Sequence, residues 1–286
     1  MVDLALVGVG LVVGVVGLVF AYTGWLNRKQ RRLVTETGTT EVRGIDEEGR
    51  VEVKGEVDAD QGVFTSPIGQ SDAVLAAWEV EEWNERGDTS NWRTLASGVY
   101  SEPFHVDDGT GTVEVSLTDR VSGESESLLS LDSTVAGDGV AVDNVTCEFE
   151  AFPVVEEVGA ESEPPEHVRS FVAGERGVSG QLGSITNLVD IGNAHGDRRY
   201  SERALGPGEA VYLLGHAEAD ADAPHPLHPE DVVLTAGNEE PFILSDHAED
   251  ALVDQFGSGY RRSLAIGVVL VVVGIAAVVA GTTPLL

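Results

Sequence analysis

Phe104-His105-Val106-Asp107-Asp108-Gly109-Thr110-Gly111-Thr112-Val113-Glu114-Val115-Ser116-Leu117 decides the architecture of this chain. Apolar and polar residues alternate on both sides of the Asp-Asp-Gly-Thr-Gly centre, as in strands with one buried face. Gly and Asp supply the backbone angles of a tight reversal, so the stretch predicts a β-hairpin. Strand patterning recurs outward from it, at residues 51–57, 76–83, 145–149, 210–215 (after the turn Pro207-Gly208-Glu209) and 241–244. Helical signals are few. One lies at 167–174. Another would be capped by Ser245, carry Asp246, Glu249 and Asp250 in its first turn, and stop at Gly257. The middle of the chain is therefore expected to be a mainly β soluble domain with short helices. Residues 122–143 and the acidic stretch 156–166 read as excursions with little to bury.

Both ends of the chain are apolar. Residues 4–26 and 264–281 are long enough to cross a hydrocarbon core of about 30 Å as helices. This predicts a first transmembrane helix within 1–26, a basic juxtamembrane segment at 27–49, a cytoplasmic domain at 50–260 and a second transmembrane helix at 264–283. Arg28, Lys29, Arg31 and Arg32 follow the first span, and Arg261 and Arg262 precede the second. Positive flanks stay in the cytoplasm, which predicts a two-span cell-membrane protein with both termini outside. Tyr22, Trp25 and Tyr260 sit where interfacial aromatics belong. A cleaved signal peptide is the rival reading of the first span, but it needs a basic leading region, and the early charge here is Asp3. Gly8, Gly10, Gly14 and Gly17 would let the spans pack closely, with Gly10-x-x-x-Gly14 at small-residue spacing.

The chain carries 49 Asp+Glu against 17 Lys+Arg, a formal charge of -32, and its lysines are Lys29 and Lys54. Dense carboxylates with few lysines match the composition of proteins from salt-loving archaea. In molar salt the screening length falls to about 3 Å and carboxylate repulsion is muted. Nucleic-acid binding is not expected, because the basic clusters flank the spans and no basic face is left in the domain. One cysteine, Cys147, excludes an intramolecular disulfide and a multi-cysteine zinc site within these residues.

Several stretches in order resemble the GIDE domain, also called the BAM ("beside a membrane") domain. They are Ser66-Pro67-Ile68, the 78–83 strand from Trp78 to Trp83, then Trp92, and Glu102-Pro103-Phe104 through Asp107 to Gly111. Arg198-Arg199-Tyr200-Ser201-Glu202, the Gly206-Pro207-Gly208-Glu209 turn with residues 211–215 ending at Gly215, and Phe242-Ile243-Leu244-Ser245 complete the set. They cover roughly residues 50–260. The domain lies between two transmembrane helices in mitochondrial ubiquitin ligases of the MULAN type and in prokaryotic proteins. The resemblance implies a mainly β fold, to which the 104–117 hairpin adds the look of a small OB-like barrel, and the activity of a RING-type E3 ubiquitin transferase. The ligases end in a RING, which holds zinc through paired Cys and His ligands. This sequence stops at Leu286 with one cysteine, so no RING is expected in it.

Cys147 as a nucleophile would want an electropositive setting, and its neighbour Glu148 opposes that, so a buried apolar role is the expectation. His225 and His228, in Pro224-His225-Pro226-Leu227-His228-Pro229, have a spacing that could share a metal; the prolines favour a surface loop instead. Asp107 and Asp108 read as turn residues rather than paired catalytic carboxylates, and Ser66-Pro67 as a turn rather than a nucleophile site. The Gly-rich pieces lack the phosphate-loop pattern, and no cofactor is expected. Trp78 and Trp83, five apart on one strand, should face opposite sides. The functional expectation is a non-catalytic scaffold or partner-binding module at the membrane. Beside it stand a ligase completed by a partner's RING, and a ligand sensor signalling through the helix after Ser245.

Overall fold

The computed structural model describes residues 3–58, 63–86, 89–117, 121–124, 138–142, 144–175, 178, 194–219, 223–236 and 241–282. Side chains at 26–27, 30, 86, 89, 121–124, 249–250 and 253–260, Tyr260 among them, lie outside the description. The chain divides into a helical unit, Met1–Thr37 with Ala248–Leu286, and a β unit, Gly38–His247.

In the β unit, the 104–117 stretch forms the predicted hairpin. Its arms are the sixth and seventh of the strands β1 (Gly49–Asp58), β2 (Phe64–Thr65), β3 (Asp72–Ala73), β4 (Leu75–Arg86), β5 (Thr89–Ser101), β6 (Phe104–Asp107) and β7 (Thr112–Val115). Next come β8 (Val121–Glu124), β9 (Gly139–Val142), β10 (Val145–Glu148) and β11 (Val154–Val158). A short helix α2 (Glu166–Gly174) precedes β12 (Arg198–Leu205), β13 (Ala210–Ala219), β14 (Val232–Thr235) and β15 (Phe242–Ser245). The long helices at the two ends are α1 (Leu4–Glu36) and α3 (Glu249–Thr282).

Five strands close a ring in the order β1-β6-β7-β14-β13 and back to β1. All neighbours are antiparallel except β7 and β14, which run parallel. Numbered by sequence, the ring reads first, second, third, fifth, fourth. This is the OB-like barrel that the hairpin suggested. Val53, Val57, Phe104, Val106, Val113, Val115, Leu213 and Leu234 fill it, each at most 3% exposed. β1 pairs with β13 along its first part and with β6 at its end, so it must turn the barrel's corner. Gly55 stands there, because a Cβ would run into the Asp107 carbonyl. β15, β10 and β9 extend the barrel sheet beyond β13.

A second sheet, β11-β12-β4-β5-β8, is antiparallel throughout. One face buries Leu75, Ala77, Val99 and Leu205 in the barrel's own core cluster. The other face, with Trp78, Val80 and Tyr200, packs against Ile68 and against Val168 of α2. An extra residue on β5 opposite Val80/Glu81 lets Leu95 and Ala96 both join that second cluster.

In the helical unit, α1 and α3 pack antiparallel, with the Asp3 N–H 2.9 Å from the Gly281 carbonyl. Asp3 also caps α1, accepting from the N–H groups of Ala5 and Leu6 at 3.1 Å. Gly10, Gly17 and Gly24 repeat every seven residues on α1, as Gly267, Gly274 and Gly281 do on α3. A Cβ on Gly10 would lie 2.8 Å from the Gly274 carbonyl, and one on Gly17 would lie 2.6 Å from the Val271 nitrogen. The backbones therefore touch through glycine, and a seven-residue repeat keeps the seam facing its partner. Leu4–Trp25 and Arg261–Thr282 are long and apolar enough to cross a membrane, with mean hydropathies of 2.7 and 2.9. Few residues of either stretch are buried, and Leu11, Val12, Leu18, Val269, Val272 and Ile275 are exposed. Such a surface suits hydrocarbon and not water.

The structure corrects several boundaries. α1 runs on to Glu36, into the segment 27–49 expected to be only juxtamembrane. The β unit begins at Gly38 rather than 50, because Val42 and Ile45 are buried in the barrel core. Ser245 closes β15 instead of capping a helix; its hydroxyl accepts the His247 N–H at 3.0 Å. Gly257 does not stop α3, which continues unbroken to Thr282. A glycine inside a helix costs about 1 kcal/mol against alanine, too little to end a helix that the following apolar run extends. Glu156 and Glu157 belong to the edge strand β11, and only 159–165 is loop. The two ends of the 122–143 excursion are strands, β8 against β5 and β9 against β10, while 125–137 lies outside the described residues. Gly10, not Gly14, meets α3 through its missing side chain: a Cβ on Gly14 would have nothing within 4 Å.

Candidate functional site

Glu202 brings the resemblance residues together. It projects from β12 on the same face as its cross-strand neighbour Trp78 and is 4% exposed. Its carboxylate accepts the N–H of Ile68 at 2.8 Å and of Gly69 at 2.7 Å, so one buried acid fixes the loop at 66–71. Gly69 is required, since a Cβ there would lie 2.7 Å from Glu202 Oε1. Ser66 is fully buried, and its hydroxyl accepts the Ser71 N–H at 3.1 Å and lies 3.2 Å from Ser71 Oγ. It ties the ends of the 66–71 turn together. His167 of α2 places Nε2 3.2 Å from the Ile68 carbonyl.

Behind this loop, Trp78 is fully buried opposite Gly98, where any Cβ would strike the indole at 2.7 Å. Its ring stacks on Tyr100 at 6.3 Å and meets Phe171 edge-on at 4.9 Å. The Tyr100 hydroxyl donates to the Glu175 carboxylate, whose pKa burial raises. Phe64, Thr65, Pro67, Tyr100, Ser101, Glu102 and Phe171 line a cleft of about 210 Å³.

A larger recess lies where the fourth barrel strand connects to the fifth. About 710 Å³ in volume, it is walled by Glu114, Glu218, Glu230 and Asp231 together with Ala219, Ala223, Pro224 and Val233. Connections between these strands are where OB-type barrels receive ligands. Here the lining is acidic, which gives the recess a negative field. His225 and His228 stand in this connection. The His225–Pro226 bond is cis, and Leu227 between the histidines is buried, its N–H 3.1 Å from the Asp46 carbonyl. The His228 N–H donates to Asp231 at 3.1 Å. Among the described residues no group of three or more His, Cys, Asp or Glu is close enough to hold a metal.

The other residues singled out in the sequence shape the scaffold. Pro103 is exposed between β5 and β6, and Phe104 is core. Asp107 accepts the Gly109 N–H at 2.7 Å, and its neighbour Asp108 does more. Asp108 accepts from Thr110 N–H and Oγ1 and from Gly111 N–H, and its other oxygen takes the Val42 N–H at 2.8 Å. Burial acts to raise its pKa, and these hydrogen bonds outweigh it, holding the carboxyl below its ordinary range. Gly111 lies against Val42, Gly208 takes a φ of +76° in its turn, and Gly215 leaves room for the Phe242 ring. Tyr200 is 1% exposed beneath α2. Cys147 is fully buried, and burial, with Glu148 beside it, pushes its thiol up to about 12; it is core, not nucleophile. Trp83 faces away from Trp78 and meets Trp92 at 5.3 Å, with the Arg199 guanidinium 4.6 Å over the Trp92 ring.

A comparison with protein families matches residues 131–281, more than half of the chain, to the GIDE family, described as an E3 ubiquitin ligase. The chain belongs to the GIDE family. No curated protein and no solved structure matches it. The GIDE match takes in Tyr200, Glu202, Gly208, Gly215 and α3. It begins after Ser66, Pro67, Trp78, Pro103, Phe104, Asp107 and Gly111. Glu202 thus carries the join: a residue inside the GIDE match holds a loop outside it.

Proposed function

We propose that this GIDE protein is a membrane-anchored, non-catalytic binding module, with its β unit in the cytoplasm and both termini outside. The observation that carries the reading is that the β unit continues at each end into an apolar helix, and the two helices pack on each other along a glycine seam. A domain held at both ends in one membrane gains effective concentration toward membrane partners without doing chemistry. The basic flanks of both spans support the sidedness. The acidic recess at the β13–β14 connection is the contact surface, and a basic segment of another protein is its partner.

The test is affinity purification of the full chain from its own membranes at native salt, beside Glu114→Gln/Glu218→Gln/Glu230→Gln. A stoichiometric partner recovered with the native chain and lost with the variant is the expected result. A partner retained equally by both would remove the recess from the proposal.

The family description favours a second reading, ubiquitin-like modifier transfer. A RING needs Cys and His zinc ligands in pairs, and these 286 residues hold one cysteine, buried in β10. In this reading the zinc module comes from a partner. Modifier transfer by the purified chain alone would overturn the non-catalytic proposal.

A further inference from the structure

We propose that the side of α1 carrying Arg28, Lys29, Arg31 and Arg32 is a binding site for the phosphate of an anionic lipid headgroup. Trp25, Arg28, Lys29 and Arg32 fall at i, i+3, i+4 and i+7, which stacks them on one helix face. Together with Arg31, Thr35 and Glu36 they line a recess of about 740 Å³. Its one carboxylate is engaged: Glu36 takes Arg32 Nε at 2.8 and 2.9 Å. Arg28, Lys29 and Arg31 have no acidic partner among the described residues, and Arg31 Nε is buried without a hydrogen-bond acceptor. In the β unit, by contrast, Arg43, Lys54, Arg169, Arg198, Arg199 and Arg203 each hold a carboxylate. In a chain with a formal charge of -32, adjacent cations that meet no carboxylate among the described residues in one recess point to an anion bound at this face.

Position says which anion. Trp25 is 54% exposed, stacks with Tyr22 at 6.0 Å, and ends the apolar stretch Leu4–Trp25, the level of an interfacial aromatic. At 1.5 Å per residue, Arg28 and Lys29 lie about 4.5–6 Å further along the axis. The headgroup layer on each side of the hydrocarbon is about 5–8 Å deep, so these two side chains stand at phosphate height. Arginine offers a fork of N–H donors that matches phosphate oxygens, and lysine adds a point charge. Retention of positive flanks in the cytoplasm accounts for basic residues after the span; the shared face, the recess and the orphaned Nε are what it leaves unexplained. A free phosphate would use the same donors, but the apolar Trp25 wall favours a lipid.

The inference rests on the membrane reading, and the experiment separates the two. The full chain is reconstituted in vesicles of equal phosphatidylglycerol and phosphatidylcholine and tested for flotation. It is then re-extracted in mild detergent, and the retained lipid is quantified. The native chain should float and retain phosphatidylglycerol in preference. Arg28→Gln/Lys29→Gln should still float but lose that preference by about fivefold for each cation removed. The charge-matched pair Arg43→Gln/Arg169→Gln, on exposed residues of the β unit, should retain lipid like the native chain. Flotation without lipid preference, or a preference untouched by the α1 pair, overturns the site. Displacement of phosphatidylglycerol by an equal concentration of inorganic phosphate overturns the lipid assignment. Failure of every form to float sinks the membrane reading, and the headgroup site with it.

Discussion

Glu79 shows what a single buried acid does in this fold. It lies on β4, on the face away from Trp78, and accepts the Thr94 hydroxyl at 2.7 Å. Burial lifts its pKa to about 7; the Thr94 hydrogen bond and Arg199 pull it down, and Glu81 pushes it up. The folded chain therefore keeps a proton here that the unfolded chain releases near 4.5. Between those values the folded state binds more protons, so stability falls as pH rises, and the whole cost is present above pH 7. That difference corresponds to roughly 3 kcal/mol. Glu79→Gln should match the native chain below pH 4.5 and melt higher above pH 7. Equal melting curves at high pH would show that the carboxylate is not held in a destabilised form. At this scale the sequence was partly legible. Cys147 could be placed in the core because its neighbour is an acid, and the Asp-Asp-Gly turn could be read because its bonds to Gly109, Thr110 and Gly111 are local, though the one to Val42 is not. Glu202 could be singled out only as part of a motif. Its partners Ile68 and Gly69 are more than a hundred positions away, and nothing in a sequence pairs them.

Among the elements, the helix pair makes the sharpest prediction. Gly274 has a Cβ position 2.7 Å from the Gly10 carbonyl, whereas that of Gly14, on the same helix pair, is open. Gly274→Leu should lower the melting temperature of the detergent-solubilised chain by forcing the helices apart, at a cost on the order of 1–3 kcal/mol. Gly14→Leu should leave it near the native value; equal effects would place the seam elsewhere. Strands whose alternation is unbroken, such as β1, β6 and β7, were readable in advance. β5 was not, because the extra residue at Leu95 shifts its pattern by one and puts two consecutive side chains on one face. β11 was hidden for another reason: it is an edge strand, and Val154 and Val155 are still 41% and 40% exposed, so the buried-versus-exposed contrast that marks a strand is weak. α3 was misjudged at Gly257 because a local stop signal was outweighed by the apolar run beyond it.

For the whole molecule, charge is the dominant property. In the β unit several cations are drawn into carboxylate pairs: Arg203 joins Glu209 to Asp246, and Lys54 lies 3.2 Å from the fully buried Glu52, which also takes the Tyr212 hydroxyl at 2.9 Å. The remaining surface is an acid field whose self-repulsion is screened only when salt is dense. Circular dichroism across a potassium chloride series should show β structure lost at low salt and retained at molar salt, and a fully folded chain at low salt would sink this expectation. The ring closure of the barrel carries one more consequence, for synthesis. β13 is the partner of β1 over eight residue pairs and also holds β14 and β15, yet it is made after β2 through β12 and α2. While the ribosome is still working through those elements, β1 waits with an open edge, and the first apolar helix has emerged without its mate. Such delayed long-range pairing is slow and exposes a nascent chain to wrong partners. A polypeptide truncated before Ala210 should therefore be a substrate for quality control rather than a smaller working domain.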